Sequence, residues 1–452
     1  MKKLFILGIA LLVCALLIVG CTTSAPTTSA PKPPAPAPTT AAPAPTTAAP
    51  APAPTTAAPK PPPTSTAPAP APAPAKDKIL VGMSRPLSGP EQPIGDSAFK
   101  PIYELFIKKW NAEGGINIGG KKMLIETKIY DNKSDIPTMT KQIEQLIVQD
   151  KVDFLWAPES TGAIFAAAPI VNKYEKVLVT MEGGASSLIP MLPSMPYVFV
   201  SLSFADWYEV PVLADLLAAK GVKTVYIVYI AELHGIEYSR VAGTELPAKG
   251  IQIVGLKSMP YEMTDFSLII KDAQKSGADA FLAFTYPAHL MPMTGQMMEL
   301  GYNPKAYLGG PGINFGFFHT AFGPAVEGIM GWATWNRKQS PAMAAMADEL
   351  YKGLPEDAND WWGHALYYGA MEFWKQAVEK AGTLDNKKLM EVMRSSHFNT
   401  VLGDTYFTNG LMAKESHPGE VGQWQNGIFE VIGGNKTTAQ FVYPKPAWPA
   451  KK

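Results

Sequence analysis

Ser186 stands in the run Gly184-Ala185-Ser186-Ser187-Leu188, which is half of a nucleophile elbow, with glycine two residues before the serine and leucine two residues after it. An elbow needs a small residue on both sides to hold the hydroxyl on a sharp strand-to-helix turn, so acyl-transfer chemistry has no footing there. The six histidines, His234, His289, His319, His364, His397 and His417, are scattered and lack the i, i+4 pairing of a helical zinc site. Cys14 and Cys21 are the two cysteines, so no thiol is available after residue 21 for a disulfide, a thiolate metal site or a nucleophile. Neither a Gly-x-x-x-x-Gly-Lys-Ser/Thr loop nor an early Gly-x-Gly-x-x-Gly turn occurs. The expectation is a protein without catalysis, metal or cofactor, whose chemistry is binding.

The elements that would carry a binding site alternate along the chain. Ile79 to Met83, Met123 to Tyr130, Val152 to Ala157 and Val177 to Met181 are short apolar runs with strand character. Between them, Pro101 to Glu113, Ile136 to Gln149 and Gly162 to Tyr174 have apolar residues at helical spacing. After a proline-rich break at Pro190 to Pro196 the register resumes. Strands are expected at Thr224 to Ile230, Ile251 to Met259 and Asp279 to Thr285, and helices at Trp207 to Lys220, Ile236 to Leu246, Phe266 to Ser276 and Pro292 to Leu300. Strands that are apolar throughout and alternate with helices predict parallel sheets covered on both faces, an α/β fold in two lobes. In such sheets the ligand crevice lies outside the carboxyl ends of the strands, so the loops just after each strand are the place to look.

The N-terminus reads differently. Lys2 and Lys3 precede an apolar run from Leu4 to Val19 that is shorter than a membrane span and leads into a polar tail, as a secretory leader does. Ile18-Val19-Gly20-Cys21 resembles a bacterial lipobox, which implies a leader over 1–20, cleavage before Cys21 and a lipid on its sulfur. Acyl chains at ~0.8 kcal/mol per buried methylene hold a protein firmly on a bilayer. Residues 22–75 contain 19 of the chain's 43 prolines, no acid and two bases, in Ala/Pro/Thr repeats with nothing large to bury. They predict an extended tether that reaches roughly 170 Å at ~3.1 Å per residue. Across all 452 residues, 39 bases balance 39 acids, so the overall positive charge of a nucleic-acid binder is missing.

A resemblance emerges from the ordered set of loop segments. Ser84-Arg85-Pro86-Leu87-Ser88-Gly89-Pro90 follows the first strand, Trp110 to Ile116 closes the first helix, and Tyr130-Asp131 ends the second strand. Lys151-Val152-Asp153-Phe154 then leads to Ala157-Pro158-Glu159-Ser160-Thr161, with Gln296 to Gly301 and Leu402 to Gly410 further on. In this order they resemble the type 1 periplasmic binding proteins, in the branched-chain amino acid (Leu/Ile/Val) group of ABC-transporter receptors. The resemblance covers most of residues 76–452 and implies two Rossmann-like lobes joined by a multi-strand hinge, with the ligand cleft between them. It implies chain crossings near 201, 331 and 406, so that 76–200 with 331–405 form one lobe and 201–330 with 406–452 the other.

By the same resemblance, Ser160 and Thr161 hold a ligand carboxylate, a task suited to the free amides and dipole of a helix start. Ser160 equally suits a plain helix cap. Glu182, Gly184, Ala185 and Ser186 occupy the next ligand loop, and Ser84 the first. In the second lobe His234 stands where relatives often carry an aromatic residue before glycine, and Tyr286 where they often supply a ligand contact. The acid that neutralises an amino group in amino-acid binders is not beside Tyr286, which leaves Glu182 or Glu232 to substitute. Phe199-Val200 stands where many relatives carry Phe-Arg. Trp156, Trp207, Trp332, Trp335, Trp361 and Trp362 are candidates for an aromatic lining or for core.

The resemblance thus implies an exported, lipid-anchored receptor on the outer face of the cytoplasmic membrane. It would deliver a small amino acid, amide or carboxylate to an ABC permease. A ligand-sensing module for a membrane signalling protein and a non-transport surface lipoprotein are the alternatives.

Overall fold

The computed structural model describes residues 76–181, 183–201, 209–352, 354, 358–416 and 419–449, and all structural statements concern these. Cys21, the leader and the tether lie outside them, as do Glu182, Trp207 and His417.

The first sheet has four strands in the order Ile116–Ile118, Lys121–Asp131, Lys78–Arg85 and Phe154–Leu155. Its central pairs are parallel, from Lys78 opposite Leu124 to Arg85 opposite Asp131, and the hairpin at its edge is antiparallel. Leu178–Val179 and Val198–Phe199 form a parallel pair that continues the lobe. Gly115 leads the chain into the hairpin at φ 102°, where a Cβ would fall 2.2 Å from the Met123 carbonyl oxygen, so a larger residue does not fit. Helices Phe99–Ala112 and His364–Ala381 pack on each other and on the sheet through an aromatic core in which the Trp110 and Trp374 rings lie 5.9 Å apart and Trp156 meets Trp374 edge-on at 5.3 Å.

The second sheet has seven strands in the order Ile428–Gly433, Glu420–Gln425, Ile329–Ala333, Ala306–Gly309, Ala280–Phe284, Thr224–Ile230 and Gln252–Met259. Its last five strands in that order are parallel, and Ala280–Phe284, Ala306–Gly309 and Ile329–Ala333 are buried at every residue. A strand with helices on both faces has no solvent side, which explains the unbroken apolar runs.

The chain passes between the sheets three times. The first passage runs from Ser201 to the helix Val210–Ala219, the second follows Ala333, and the third joins Met412 to Glu420. Two of these differ from the crossings read in the sequence. Ile329–Ala333 still pairs with Ala306–Gly309, which places the second after 333 and not at 331. Leu411 bridges Val200 in the first lobe, which carries the third past 412.

Candidate functional site

The residues at the carboxyl ends of the strands meet along the seam between the two sheets. In the first lobe, Asp135 caps the helix Ile136–Val148 by accepting from the Thr138 amide at 2.7 Å. Beside it, Ser160 caps the helix Thr161–Lys173, its hydroxyl accepting from the Ala163 amide at 3.3 Å. Ser160 sits at φ 78°, ψ 154°, a conformation that costs a non-glycine residue about 1–3 kcal/mol and persists where the surroundings enforce it. One enforcing neighbour is Gly183, whose Cβ, if present, would lie 2.5 Å from the Ser160 carbonyl oxygen. The Ser160 corner opens on a recess of about 260 Å³ lined by Glu91, Asn132, Asp135, Glu159 and Ala163.

Glu232 comes to that corner from the second lobe. It caps the helix Leu233–Ala248, accepting from the His234 amide at 3.0 Å, and also accepts from the Tyr286 hydroxyl at 3.0 Å. Its Oε1 lies 2.7 Å from where a Cβ on Gly162 would be, so its carboxylate rests on the first turn of the opposite lobe's helix. Burial pushes the Glu232 carboxyl up, and the hydrogen bonds from His234 and Tyr286 oppose that rise.

Two further contacts join the lobes. The Tyr261 hydroxyl donates to the carboxylate of Glu91, and burial pushes Glu91 up to about 7. Glu237, on the helix Leu233–Ala248, accepts from the amides of Ser186 and Ser187, both at 2.8 Å, and from the Ser187 hydroxyl at 2.5 Å. Both tyrosine hydroxyls are held above the ordinary phenol range, first by burial and then by the charges of Glu91, Glu159 and Glu232. The seam therefore sets helix-start amides and carboxylates against each other, an arrangement that offers both donors and acceptors.

The structure brings Ser160, Thr161, Glu232 and Tyr286 together, and with them the loop of Gly184, Ala185 and Ser186, whose last residue is tied across the seam. Two others singled out in the sequence have buried side chains, and of these His234 stacks on Tyr286 itself. Ser84 is fully buried and donates to Gln142 at 2.7 Å beneath the helix Ile136–Val148, so its hydroxyl is spent inside the first lobe. His234 is 4% exposed, with its ring packed against Tyr238 at 4.4 Å and Tyr286 at 4.9 Å. Burial lowers it to about 3, so it is neutral, and its Nε2 has no hydrogen-bond partner among the described residues. Trp156, Trp332, Trp335 and Trp362 are buried in the cores.

Glu91, Tyr261 and Glu237 were not visible as site residues in the sequence. Each lies in a loop or on a helix face where acids and tyrosines are usually solvated, and each partner lies on the other lobe. Among the described residues, no group of three or more metal-ligating side chains comes together, and no helix is long and apolar enough to cross a membrane.

A family profile described as periplasmic binding protein matches residues 78–427. The leucine-, isoleucine-, valine-, threonine- and alanine-binding protein of Pseudomonas aeruginosa is 22% identical over 335 residues, 74% of this chain and 86% of its own. Two solved structures share the fold. The branched-chain amino acid transporter substrate-binding protein LivJ of Streptococcus pneumoniae, in complex with isoleucine, has a TM-score of 0.68 at 20% identity, covering 79% of this chain and 99% of its own. A solute-binding protein of an ABC transporter from Rhodopseudomonas palustris, in complex with 3,4-dihydroxybenzoic acid, has a TM-score of 0.69 at 18% identity, covering 81% and 99%.

Proposed function

Because this chain belongs to the periplasmic binding protein family, we propose that it is the solute-binding receptor of an ABC importer, closing its lobes on a small amino acid or a related amide or carboxylate. The observation that carries the reading is the Glu232 carboxylate set against the first turn of the helix Thr161–Lys173. A ligand with a negative end suits the amides beside Ser160 and Thr161, and one with an amino or amide N–H end suits Glu232. The relatives' ligands support the first half, since isoleucine and dihydroxybenzoic acid both carry a carboxylate. Glu232 supports the second half, because its carboxylate is an acceptor for an ammonium or amide N–H. Ser84 and His234 contribute by packing, and Tyr286 by orienting Glu232.

The leader, the lipid on Cys21 and the proline-rich tether complete the proposal. They would hold the receptor near a permease on the outer face of the membrane, and no cofactor is required. A thermal-shift screen over amino acids, amides and aromatic acids tests the ligand class, since a ligand at ~100 times its dissociation constant adds ~2.7 kcal/mol of stability. Stabilisation by an amino acid or amide is expected. A response to aromatic acids alone would replace the ligand class, and no response to any class would remove the receptor reading.

A further inference from the structure

Behind the seam, two of the three chain crossings border a second space. It is a recess open to solvent, with about 570 Å³ of empty space, lined by Thr334 and Ser416 from the crossings, Met343 and Leu402 from the first lobe, and Glu420 and Lys436 from the second. Glu420, the first residue of its strand, is 3% exposed. Its two oxygens accept from Gln339 Nε2 at 3.0 and 2.9 Å and face the Lys436 backbone amide, and the Gln339 nitrogen also donates to the Lys436 carbonyl oxygen at 2.9 Å. These partners fill only part of the roughly four lone-pair sites of a carboxylate, which leaves Glu420 with spare acceptor capacity. Burial pushes Glu420 up to about 8, ahead of the opposing effects of Gln339 and Lys436.

The other walls have a different chemistry. Met343, Val401 and Leu402 are apolar, Glu415 adds a second acid at the rim, and Lys436 is the one base among the lining residues. The lining is therefore apolar on one side and acidic on the other. An acidic, acceptor-rich end beside an apolar wall suits a cation with N–H donors and a short hydrocarbon body, whose charge draws Glu420 into its ionised form.

The geometry points to a second binding site, at the hinge and apart from the seam, that takes a small aliphatic ammonium with its nitrogen on Glu420 and its carbons on Met343 and Leu402. Both lobes wall the cavity, so its shape follows the angle between them. Occupancy then biases opening against closing, a coupling that rests on the receptor reading above, whereas occupancy itself does not.

The test is calorimetric titration of the folded domain with n-butylammonium, with n-butyrate as the control of equal size and opposite charge. The wild-type chain is expected to bind butylammonium saturably and butyrate not at all. Glu420→Gln keeps the shape but removes the charge and should weaken binding at least tenfold. Leu402→Trp fills the space from the half-buried first-lobe wall and should abolish it, with circular dichroism and melting confirming the fold of both variants. Gly162→Ala, which crowds the seam, should leave butylammonium binding intact. Loss of binding in Gly162→Ala together with unchanged binding in both cavity variants would place the ammonium in the seam and overturn the hinge site. Equal binding of butyrate, unchanged binding in both cavity variants, or no binding to the wild-type chain would overturn it as well. A silent seam screen alongside intact butylammonium binding would remove the receptor reading and leave this site standing.

Discussion

Tyr261 and Glu91 stand on different lobes, and the phenol of one donates a hydrogen bond to the carboxylate of the other. Glu91 also holds its own lobe together, because its backbone amide donates to the Ser134 hydroxyl at 3.0 Å, so the pair links two rigid corners. The contact is a latch whose strength depends on the protonation of a half-buried acid.

The sign of that dependence follows from the direction of the shift. Glu91 is raised from 4.5 to about 7 by burial, with the charge of Glu232 adding to the rise and the Tyr261 hydrogen bond opposing it. A group raised in the closed, folded form contributes stability that is fully present below its unperturbed value and is lost as pH climbs through about 7. The wild-type chain should therefore lose about 1–3 kcal/mol between mildly acidic and mildly basic pH through this group. Glu91→Gln should flatten that part of the profile. Melting temperatures of both proteins across pH 5 to 8.5 check it, and the difference between the two curves isolates Glu91 from Glu372 and Glu420, which are also raised into this range. Parallel curves would show that Glu91 is not the titrating group.

Glu237 supplies the second tie, with three hydrogen bonds into Ser186 and Ser187. Hydrogen bonds to a charged acceptor contribute about 1.5–3 kcal/mol each, but opening the seam lets water replace them, so the net effect is smaller than their sum. Glu237→Ala should weaken ligand capture by about 10–100-fold while leaving each lobe folded. Titration calorimetry with whichever ligand the screen identifies measures the loss. A larger radius of gyration in small-angle scattering would show that the lobes have parted.

Much of this architecture was legible before any coordinates. Thr224–Ile230 was bounded to the residue and Gln252–Met259 to within one, because a β-branched run between charged ends has few other readings. The helix His364–Ala381 escaped notice for a physical reason. It is buried on most of its circumference, from His364 to Met371 without a break, so it lacks the one-sided apolar stripe that marks a surface helix. Ala306–Gly309 is too short to show a period at all. At the seam, Ser160 was found because a serine before a helix has a local signature, whereas Glu237 acts on Ser186, 51 residues away in the chain, and only the fold brings them together.

Gly162 separates closure from stability. An alanine methyl there would meet the Glu232 carboxylate at 2.7 Å and Ile136 Cδ1 at 3.0 Å, and Ile136 opens the neighbouring helix of the same lobe. Alanine is also the better helix former, by up to about 1 kcal/mol in a helix interior and by less near a helix start. Gly162→Ala should therefore keep or slightly raise the melting temperature while reducing ligand affinity. Calorimetry beside a melting curve reads both. Unchanged affinity would mean that Glu232 does not approach this turn in the liganded protein.

Ser160 carries two roles that substitution can pull apart. Its hydroxyl caps the helix, and Ser160→Ala should cost about 1 kcal/mol from that cap while keeping the costly backbone conformation at φ 78°. Ser160→Gly also loses the hydroxyl, but glycine adopts a positive φ without strain and serves tolerably as a helix cap. The glycine variant should melt close to the wild-type chain and the alanine variant below it. If the hydroxyl also meets the ligand, both variants should bind more weakly, by about tenfold or more, regardless of their melting order. Affinity that follows stability, weak in alanine and normal in glycine, would assign Ser160 to capping alone and leave ligand contact to the backbone amides of the turn.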